Sequence, residues 1–259
     1  MELKILAIGD VVGESGTKHI RETLWGLRRD LKADAVIVNG ENSGAKGGID
    51  QNSAELLLAA GADVITTGNH VWQIRQFADY LDNSESVLRP ANYPAECPGR
   101  GYAVYDVSGY KMLVISLQGT VFMESLESPF LKAESILERE KGNYDFSVVD
   151  LHAEATSEKI AFGLAFDGRV NVIFGTHTHI QTNDARIFPG GTGYITDIGM
   201  TGVYNSVLGV EPELMIKKFY TKMPQYHNTA KGDVTVSGAL FTIDTDSFKC
   251  KKVETVNIG

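Results

Sequence analysis

The sequence predicts a mixed α/β fold in which two packed, mixed β-sheets are flanked by helices. Three observations support this prediction. Short apolar runs alternate with helix-like stretches, and successive runs recur about every 30 residues, the length of a right-handed βαβ unit. The C-terminal third instead alternates apolar and polar residues, as antiparallel strands do. A chain of 259 residues can bury one large core, and we expect a single domain over residues 1–259.

The first half of the chain contains three strand–helix units. Buried strands are predicted at "LKILAIGD", "ADAVIVNGEN" and "ADVITTGNH". The helices that follow them are predicted at "SGTKHIRETLWGLRRDL", at "DQNSAELLLAAG", where Gly61 ends the helix, and at "IRQFADYLDNS". Such units place parallel strands side by side with helices on the faces of the sheet.

The second half changes character. A hairpin about a Ser-Gly turn is predicted at "GYAVYDVSGYKMLVISLQG". Helices are then expected at "FLKAESILEREKG" and "TSEKIAFGLAFDG", and strands at "YDFSVVDLHAE" and "VNVIFGTHTH". The segments "GTGYITDIG" and "DVTVSGALFTIDTDSFKCKKVETVNI" are expected to form an antiparallel edge or second sheet.

Charge and composition narrow the functional classes. With 24 Lys and Arg against 33 Asp and Glu, the net charge is −9, which disfavours stable binding to a nucleic-acid backbone. The start "MELKILAIGD" is typical of a first strand and not of a signal peptide, and no apolar run is long enough for a membrane span. Cys97 and Cys250 form no C-x-x-C pair, so we expect reduced thiols and a cytoplasmic protein.

Five apolar strands end in side chains that can bind a metal. One such residue alone is weak, because a buried His is more often a core residue and Asp or Asn after a strand is more often a turn former or cap. Ligands of α/β sheets bind at the carboxyl ends of the strands, so all five segments are expected to converge. The candidate donors are Asp10, Glu41, Asn42, Asn69, His152, His177 and His179, with His70 beside them.

Seven donors exceed the four that one zinc ion takes. They suit two ions about 3.5–4 Å apart, bridged by a carboxylate and a hydroxide. Imidazole, carboxylate and amide donors without thiolate fit iron, manganese or zinc. Two divalent ions held by two anionic donors would attract a phosphate and lower the pKa of bridging water. Gly9, Gly40, Gly68 and Gly175 precede these donors, either to permit close approach or as ordinary strand–loop glycines.

These motifs resemble a known family. "GDVVGESG", "NGENSGAKGG", "TTGNHVW", "DLHAEATSEK" and "GTHTHIQTNDARI" are similar to the YmdB family of bacterial metallophosphoesterases, within the calcineurin-like superfamily, and the resemblance covers nearly the whole chain. Three positions depart from the general superfamily pattern and match the narrower family. Val12 replaces a His, Glu41 replaces a bridging Asp, and Val71 replaces the acidic residue after "GNH".

The resemblance implies a calcineurin-like metallophosphoesterase fold, roles for the donors and a reaction. Asp10, Glu41, Asn42 and His179 would hold one metal, and Glu41, Asn69, His152 and His177 the other. His70 would be the catalytic acid. The family implies a phosphodiesterase that acts on small cyclic nucleotides such as 2′,3′-cyclic AMP, uses two divalent or mixed-valence ions of iron or manganese with zinc as an alternative, and forms homo-oligomers. A phosphomonoesterase and a metal-bound regulatory protein with little turnover are the alternatives.

Other sequence features disfavour alternative enzyme classes or leave the role of a residue open. The first βα turn lacks G-x-G-x-x-G, and the chain lacks G-x-S-x-G, so a dinucleotide-binding oxidoreductase and a serine esterase are disfavoured. Lys46 lies in a phosphate-approach loop or a solvated turn, and "TGVYNSVLG" lines the pocket or a subunit contact. Glu154 and Asp184 either accept the second N–H of ligand histidines or lie on the surface. His19 and His227 are expected to be structural or exposed.

Overall fold

The computed structural model describes residues 1–225 and 228–259, so the expectation for His227 lies outside the described residues. The first half contains the following elements in chain order: β1 (Glu2–Ile8), β2 (Asp10–Val11), α1 (Gly13–Leu31), β3 (Ala35–Asn39), α2 (Gln51–Ala59), β4 (Val64–Thr66), α3 (Phe77–Asn83), β5 (Val87–Leu88), β6 (Tyr102–Val107) and β7 (Tyr110–Gln118). The second half contains α4 (Pro129–Arg139), β8 (Phe146–His152), α5 (Thr156–Ala165), β9 (Val172–Thr176), β10 (Arg186–Ile187), β11 (Gly193–Ile195), β12 (Met200–Val203), α6 (Pro212–Thr221), β13 (Val234–Asp244) and β14 (Cys250–Ile258).

Local sequence explains where these elements begin and end. Helix α1 buries Ile20 and Leu24, which lie four residues apart on one face, and it ends at Lys32 in the left-handed conformation, φ 55°. Helix α2 begins with a capping box between Asp50 and Ser53. Strands β6 and β7 form the predicted antiparallel hairpin about the Ser-Gly turn. Local capping and turn signals therefore agree with the periodic pattern along the chain.

Two mixed sheets form the centre of the fold, as the sequence predicts. The first has the order β2-β12-β13-β1-β3-β4-β5, with β14 also paired to β13, and the second has the order β10-β11-β9-β8-β7-β6. Strands β1, β3, β4 and β5 run parallel, as do β7, β8, β9 and β11, whereas β13 is antiparallel to β1 and β14. The parallel strands of each sheet therefore carry their carboxyl ends to one edge.

Three apolar clusters arrange the chain in layers of helices, sheet, sheet and helices. The inter-sheet cluster includes Ile5 of β1, Val148 of β8 and Phe241 of β13. A second cluster packs the outer face of the first sheet against α1, α2 and α3, and a third packs the outer face of the second sheet against α4 and α5. Buried on both faces, the parallel strands read as continuous apolar runs.

The C-terminal third differs from the expectation in two respects. Strand β11 pairs antiparallel with β10 but parallel with β9, so "GTGYITDIG" is not a purely antiparallel segment. Strand β13 lies inside the first sheet and not at its edge, because it pairs with β1 on one side and β14 on the other. Among the described residues, no helix combines the length and apolarity needed to cross a membrane.

Candidate metal centre

The predicted donors converge at the carboxyl ends of strands from both sheets. Asp10 opens β2, two residues after the end of β1, where the chain changes its antiparallel partner β13 for the parallel partner β12. Glu41 and Asn69 follow β3 and β4 of the first sheet, while His152 ends β8 and His177 follows β9 of the second sheet. Each of the seven donors and His70 has a polar atom within 4.0 Å of another member.

Four donor atoms crowd around one point. The Nε2 atom of His152 lies 3.1 Å from Oε1 of Glu41, 3.1 Å from Oδ1 of Asn69 and 3.0 Å from Nδ1 of His177. A ring nitrogen offers one proton or one lone pair, so hydrogen bonding cannot satisfy all three neighbours. Donors about 2.1 Å from one ion, at right angles to each other, lie about 3.0 Å apart. The group therefore fits a cation.

A second group of donors shares Glu41 with the first. Buried Oδ1 of Asp10 has no hydrogen-bond partner in the described chain and lies 3.8 Å from Nε2 of His179. The amide Nδ2 of Asn42 lies 3.1 Å from Oε1 of Glu41 and 3.3 Å from Nε2 of His179. Rotating this amide by about 180° exchanges its nitrogen and oxygen and turns a metal-binding oxygen to the same point. An orphaned carboxylate oxygen beside imidazole and amide donors fits a second cation.

A buried polar chain beneath the centre sets the tautomer of His152. The hydroxyl of Thr176 donates to Oδ1 of Asp150 at 2.7 Å, and Nδ1 of His152 lies 2.9 Å from the same hydroxyl oxygen. Asn39 and Thr66 also donate to Asp150, whose pKa burial raises to about 6. Since the Thr176 proton points to Asp150, the hydroxyl oxygen accepts from Nδ1–H, so Nε2 is the nitrogen that can bind a metal once it has released its proton.

The two histidines of "GTHTH" adopt unusual backbone conformations. His177 has φ 100° and His179 has φ 64°, a left-handed region that costs about 1–3 kcal/mol for a non-glycine residue. Thr178 between them donates its N–H and hydroxyl to Oδ2 of Asp197, at 3.1 and 2.8 Å. Lys159 donates from Nζ to the same oxygen at 2.7 Å and to the carbonyl of Thr176 at 2.8 Å. We call this buried Lys159–Asp197 pair, with its bonds to residues 176–178, the clamp.

Glu154 orients a donor, whereas Asp184 does not. Oε2 of Glu154 lies 3.1 Å from Nε2 of His177 and so accepts its second N–H, leaving Nδ1 to face His152. Asp184 instead accepts from the hydroxyls of Thr182 and Thr196, so its proposed contact with a ligand histidine is wrong. Glu154, and not Asp184, therefore orients the ring of a candidate metal ligand.

Gly68 makes room for the centre. A Cβ at this position would lie 2.2 Å from both Oε2 of Glu41 and Cδ2 of His152. Gly175 instead lets the backbone of Thr196 pass close to β9, because a Cβ at position 175 would lie 1.9 Å from the carbonyl oxygen of Thr196. Of the two interpretations of these strand-end glycines, the structure supports close approach to the donors at Gly68.

The charges of the cluster shift its pKa values in opposite directions. Burial alone would lower the pKa of His152, but the carboxylates of Glu41, Asp10 and Asp150 raise it to about 9. Burial and the neighbouring charge of His152 lower the pKa of His177 to about 3. Burial opposes ionisation of Glu41, yet His152 and His70 hold its pKa well below the usual value. The carboxylates therefore attract a cation to the point that the donors surround.

A cavity of about 460 Å³ opens above these donors, within the usual range of small-molecule sites. Lys46 and Gln73 line one part of it, and Leu208 and Gly209 line another. The segment "TGVYNSVLG" thus contributes to the cavity wall. His70 also lines it, with Nδ1 held 3.2 Å from Oε1 of Glu41 and 3.0 Å from Oδ1 of Asn42. Its Nε2 atom is the nitrogen not engaged in these contacts.

Sequence reasoning missed the buried supports of the centre: Asp150, Thr176, Lys159 and Asp197. One signal was available for Lys159, which lies three residues before Phe162 on the buried face of α5 and seven before Phe166, the residue that follows the helix. A lysine on a buried helical face requires an ionic or polar partner. The identity of that partner, 38 residues further along, had no local signal.

Comparison with known proteins places these features in a family. The family model for YmdB-like proteins matches residues 6–256. The chain is 41% identical to a 2′,3′-cyclic-nucleotide 2′-phosphodiesterase of Bacillus subtilis, over 99% of this chain and 97% of that protein. It also matches the crystal structure of a novel phosphatase from Mycoplasma pneumoniae, with TM-score 0.93, 35% identity and coverage of 100% and 94%.

A more distant match shows the fold alone. The 5′-nucleotidase precursor from Thermus thermophilus aligns with TM-score 0.61 at 14% identity, covering 100% of this chain and 54% of that one. The predicted calcineurin-like metallophosphoesterase fold of two mixed sheets and flanking helices is confirmed. With the family match extending from residue 6 to residue 256, the chain belongs to the YmdB-like protein family.

Proposed function

We propose that this chain is a binuclear metal-dependent phosphodiesterase that hydrolyses small phosphodiesters, with 2′,3′-cyclic nucleotides such as 2′,3′-cyclic AMP as substrates. One observation carries the proposal: Nε2 of His152 lies within 3.1 Å of donor atoms from Glu41, Asn69 and His177 at the floor of a cavity. The 41% identity to a 2′,3′-cyclic-nucleotide 2′-phosphodiesterase supports the substrate class.

Two groups of side chains would hold the ions. We assign Asp10, Glu41, Asn42 and His179 to one ion and Glu41, Asn69, His152 and His177 to the other, with iron or manganese as the native metals. When bound, the ions supply Lewis-acid chemistry, neutralising charge on phosphate oxygens and lowering the pKa of water. The chain contributes fixed donor positions, because buried hydrogen bonds and the clamp hold the donors before substrate arrives.

We assign His70 the role of general acid. The contact from Nδ1 to Oε1 of Glu41 fixes its ring, so that Nε2 is available to the cavity. In hydrolysis of a cyclic diester, water adds to phosphorus, one P–O bond breaks, and the leaving alkoxide takes a proton. His70 donating that proton would yield a free hydroxyl and a phosphomonoester. Such a role contributes typically about 10²–10⁴-fold to rate.

The test measures metal and activity in the same preparation. Elemental analysis of purified protein should find two transition-metal ions per chain, and the sample should hydrolyse 2′,3′-cyclic AMP. Glu41→Gln should lose metal and activity, while Glu138→Gln, at an exposed ion pair on α4, should retain both. His70→Ala should keep its metal and lose about 10²–10⁴-fold in kcat. One ion or none at full activity would refute the binuclear proposal, and an active His70→Ala would refute the acid role.

A phosphomonoesterase is the second candidate, favoured by the description of the Mycoplasma pneumoniae relative as a novel phosphatase. Rates on bis-p-nitrophenyl phosphate and p-nitrophenyl phosphate separate the two activities. A phosphodiesterase should prefer the diester. Faster hydrolysis of the monoester would favour the phosphatase.

We also propose that the chain acts as a homo-oligomer of single-domain subunits in the cytoplasm. Helix α6 is fully described and has no buried residue, and it exposes 51% of Ile216, 62% of Phe219 and 87% of Tyr220. An apolar face of this kind favours a subunit contact. Cys97 and Cys250 are free thiols, in keeping with a reducing compartment. Light scattering of the wild type and of Phe219→Glu would test the oligomer, since the charge should dissociate it.

A further inference from the structure

A second cavity, of about 380 Å³, shares no lining residue with the cavity above the metal donors. Four cationic side chains line it, together with the rings of Tyr93 and Tyr102, and none of its lining residues is acidic. The cationic residues are Arg89, Arg100, Lys132 and Arg139, and we call this site the basic cavity. It contrasts with a chain whose net charge is −9.

Arg89 carries a buried charge and has no carboxylate partner among the described residues. It is 5% exposed, and its guanidinium donates to the carbonyls of Pro90, Pro94, Cys97 and Pro98 at 3.0 to 3.4 Å. These carbonyls satisfy its N–H groups and fix the loop, but they leave the unit charge in place. A buried positive charge at the wall of a concave site raises the local concentration of anions.

Two further cationic side chains at the basic cavity form no close ion pair within the described chain. Arg100 and Arg139 are exposed, and within residues 1–225 and 228–259 neither forms an ion pair with a carboxylate within 4.0 Å. Nη1 of Arg139 lies 3.5 Å from the hydroxyl of Tyr102, which directs it along the cavity wall. Lys132 differs, because it pairs with Glu127 at 2.8 Å. Like charges that line one cavity repel each other, and an anion bound between them would offset that repulsion.

We propose that the basic cavity binds the dianion of a small phosphomonoester, with Arg100 and Arg139 contacting the phosphate and the tyrosines contacting the remainder. Guanidinium groups bind phosphate oxygens through paired hydrogen bonds. A phosphomonoester carries about −1.5 to −2 charges at pH 7, whereas a phosphodiester carries one, so several cations at one cavity favour the monoester. The site does not depend on the proposed function, although the proposed reaction releases a ligand of this class.

Calorimetric titration of the metal-loaded chain with 3′-AMP tests the site. The wild type should show two binding events, one at the metal centre and one at the basic cavity. Arg100→Gln/Arg139→Gln should lose the second event or raise its Kd about tenfold or more, as expected for removing charge-assisted hydrogen bonds. Arg21→Gln/Arg29→Gln removes the same charge from exposed positions of α1 and should keep both events.

Three further measurements define the ligand. Adenosine should show no second event, inorganic phosphate should compete with 3′-AMP for it, and added salt should weaken it. A single event in the wild type, an unchanged isotherm in the double variant, or equal binding of adenosine would overturn the proposal. Hydrolysis of 2′,3′-cyclic AMP by the same proteins should be unchanged. Loss of hydrolysis in the wild type would refute the proposed function and leave the second event measurable.

Discussion

Replacing Lys159 by methionine should destabilise the fold and weaken metal binding together. Lys159 is 1% exposed, and its Nζ atom donates to buried Asp197 at 2.7 Å and to the carbonyl of Thr176 at 2.8 Å. Methionine fills similar volume but leaves the carboxylate of Asp197 buried without a cation. Thr178 and Gly199 would remain as its hydrogen-bond donors.

The expected magnitude follows from the burial of both partners. Breaking a buried ion pair by removing one member costs about 3–5 kcal/mol. In a chain of 259 residues, this corresponds to a fall in Tm of roughly 6–20 °C. The clamp also holds Thr178 between two left-handed histidines, so its loss should weaken metal binding by about 10–100-fold, as for other supports of metal ligands.

Urea unfolding of the metal-free proteins and calorimetric titration with Mn²⁺ would measure the two effects separately. Lys141→Met is the matched control, because Lys141 pairs with Glu138 in an exposed ion pair and should lose less than about 1 kcal/mol. Lys159→Met/Asp197→Leu removes both charges and should recover part of the stability. Its Mn²⁺ affinity should stay low, because Thr178 has lost its acceptor. A loss no larger than that of Lys141→Met, or unchanged Mn²⁺ affinity in folded Lys159→Met, would refute the reasoning.

Three other predictions follow from the structure. Gly68→Ala should lose metal and activity, because its Cβ would lie 2.2 Å from Oε2 of Glu41. Its control is Gly26→Ala, whose Cβ would have nothing packed within 4 Å in the described chain, so it should keep both and gain about 0.5–1 kcal/mol of stability. Metal analysis and urea unfolding compare the two variants. Chelation should abolish hydrolysis and lower Tm by roughly 5–11 °C, given about 2.7 kcal/mol of linkage at 100-fold saturation, and Mn²⁺ should reverse both. Burial opposes ionisation of Asp184, but hydrogen bonds from Thr196 and Thr182 and the charge of Arg186 together lower its pKa. Its stabilisation is therefore present at neutral pH and lost as the pH falls below about 4. Urea midpoints from pH 7 to pH 3 should therefore fall less in Asp184→Asn than in the wild type.

The convergence of the candidate donors was predictable because strand ends leave two local signals. An apolar run such as "VNVIF" fixes where β9 lies, and the polar residues after it must then fall at the carboxyl edge of a parallel sheet. The resemblance in the same motifs predicted the family, which is confirmed together with the fold class and the expectation of an enzyme. The metals, the residue roles and the oligomer stay predictions.

Elements whose position depends on distant partners were not predictable in the same way. Strand β11 has 3 residues, and its direction relative to β9 is set by the chain that connects them, not by its apolar pattern. Helix α6 went unpredicted because none of its residues is buried in the described chain, so it has no core face to impose a clear period. Both cases lie in the C-terminal third, where short elements carry little periodic signal.

The strain in "GTHTH" shows why a ligand motif does not by itself specify a metal site. His177 and His179 direct their rings to the other donors from left-handed conformations, at φ 100° and φ 64°. The isolated segment would favour right-handed or extended backbone, since each left-handed residue costs about 1–3 kcal/mol. The offset comes from hydrogen bonds of Thr178 to Asp197, and Asp197 is held by Lys159 on another element. The local sequence identifies the candidate ligands. The arrangement that lets them bind a metal forms only when α5, β9 and the segment after β11 pack together.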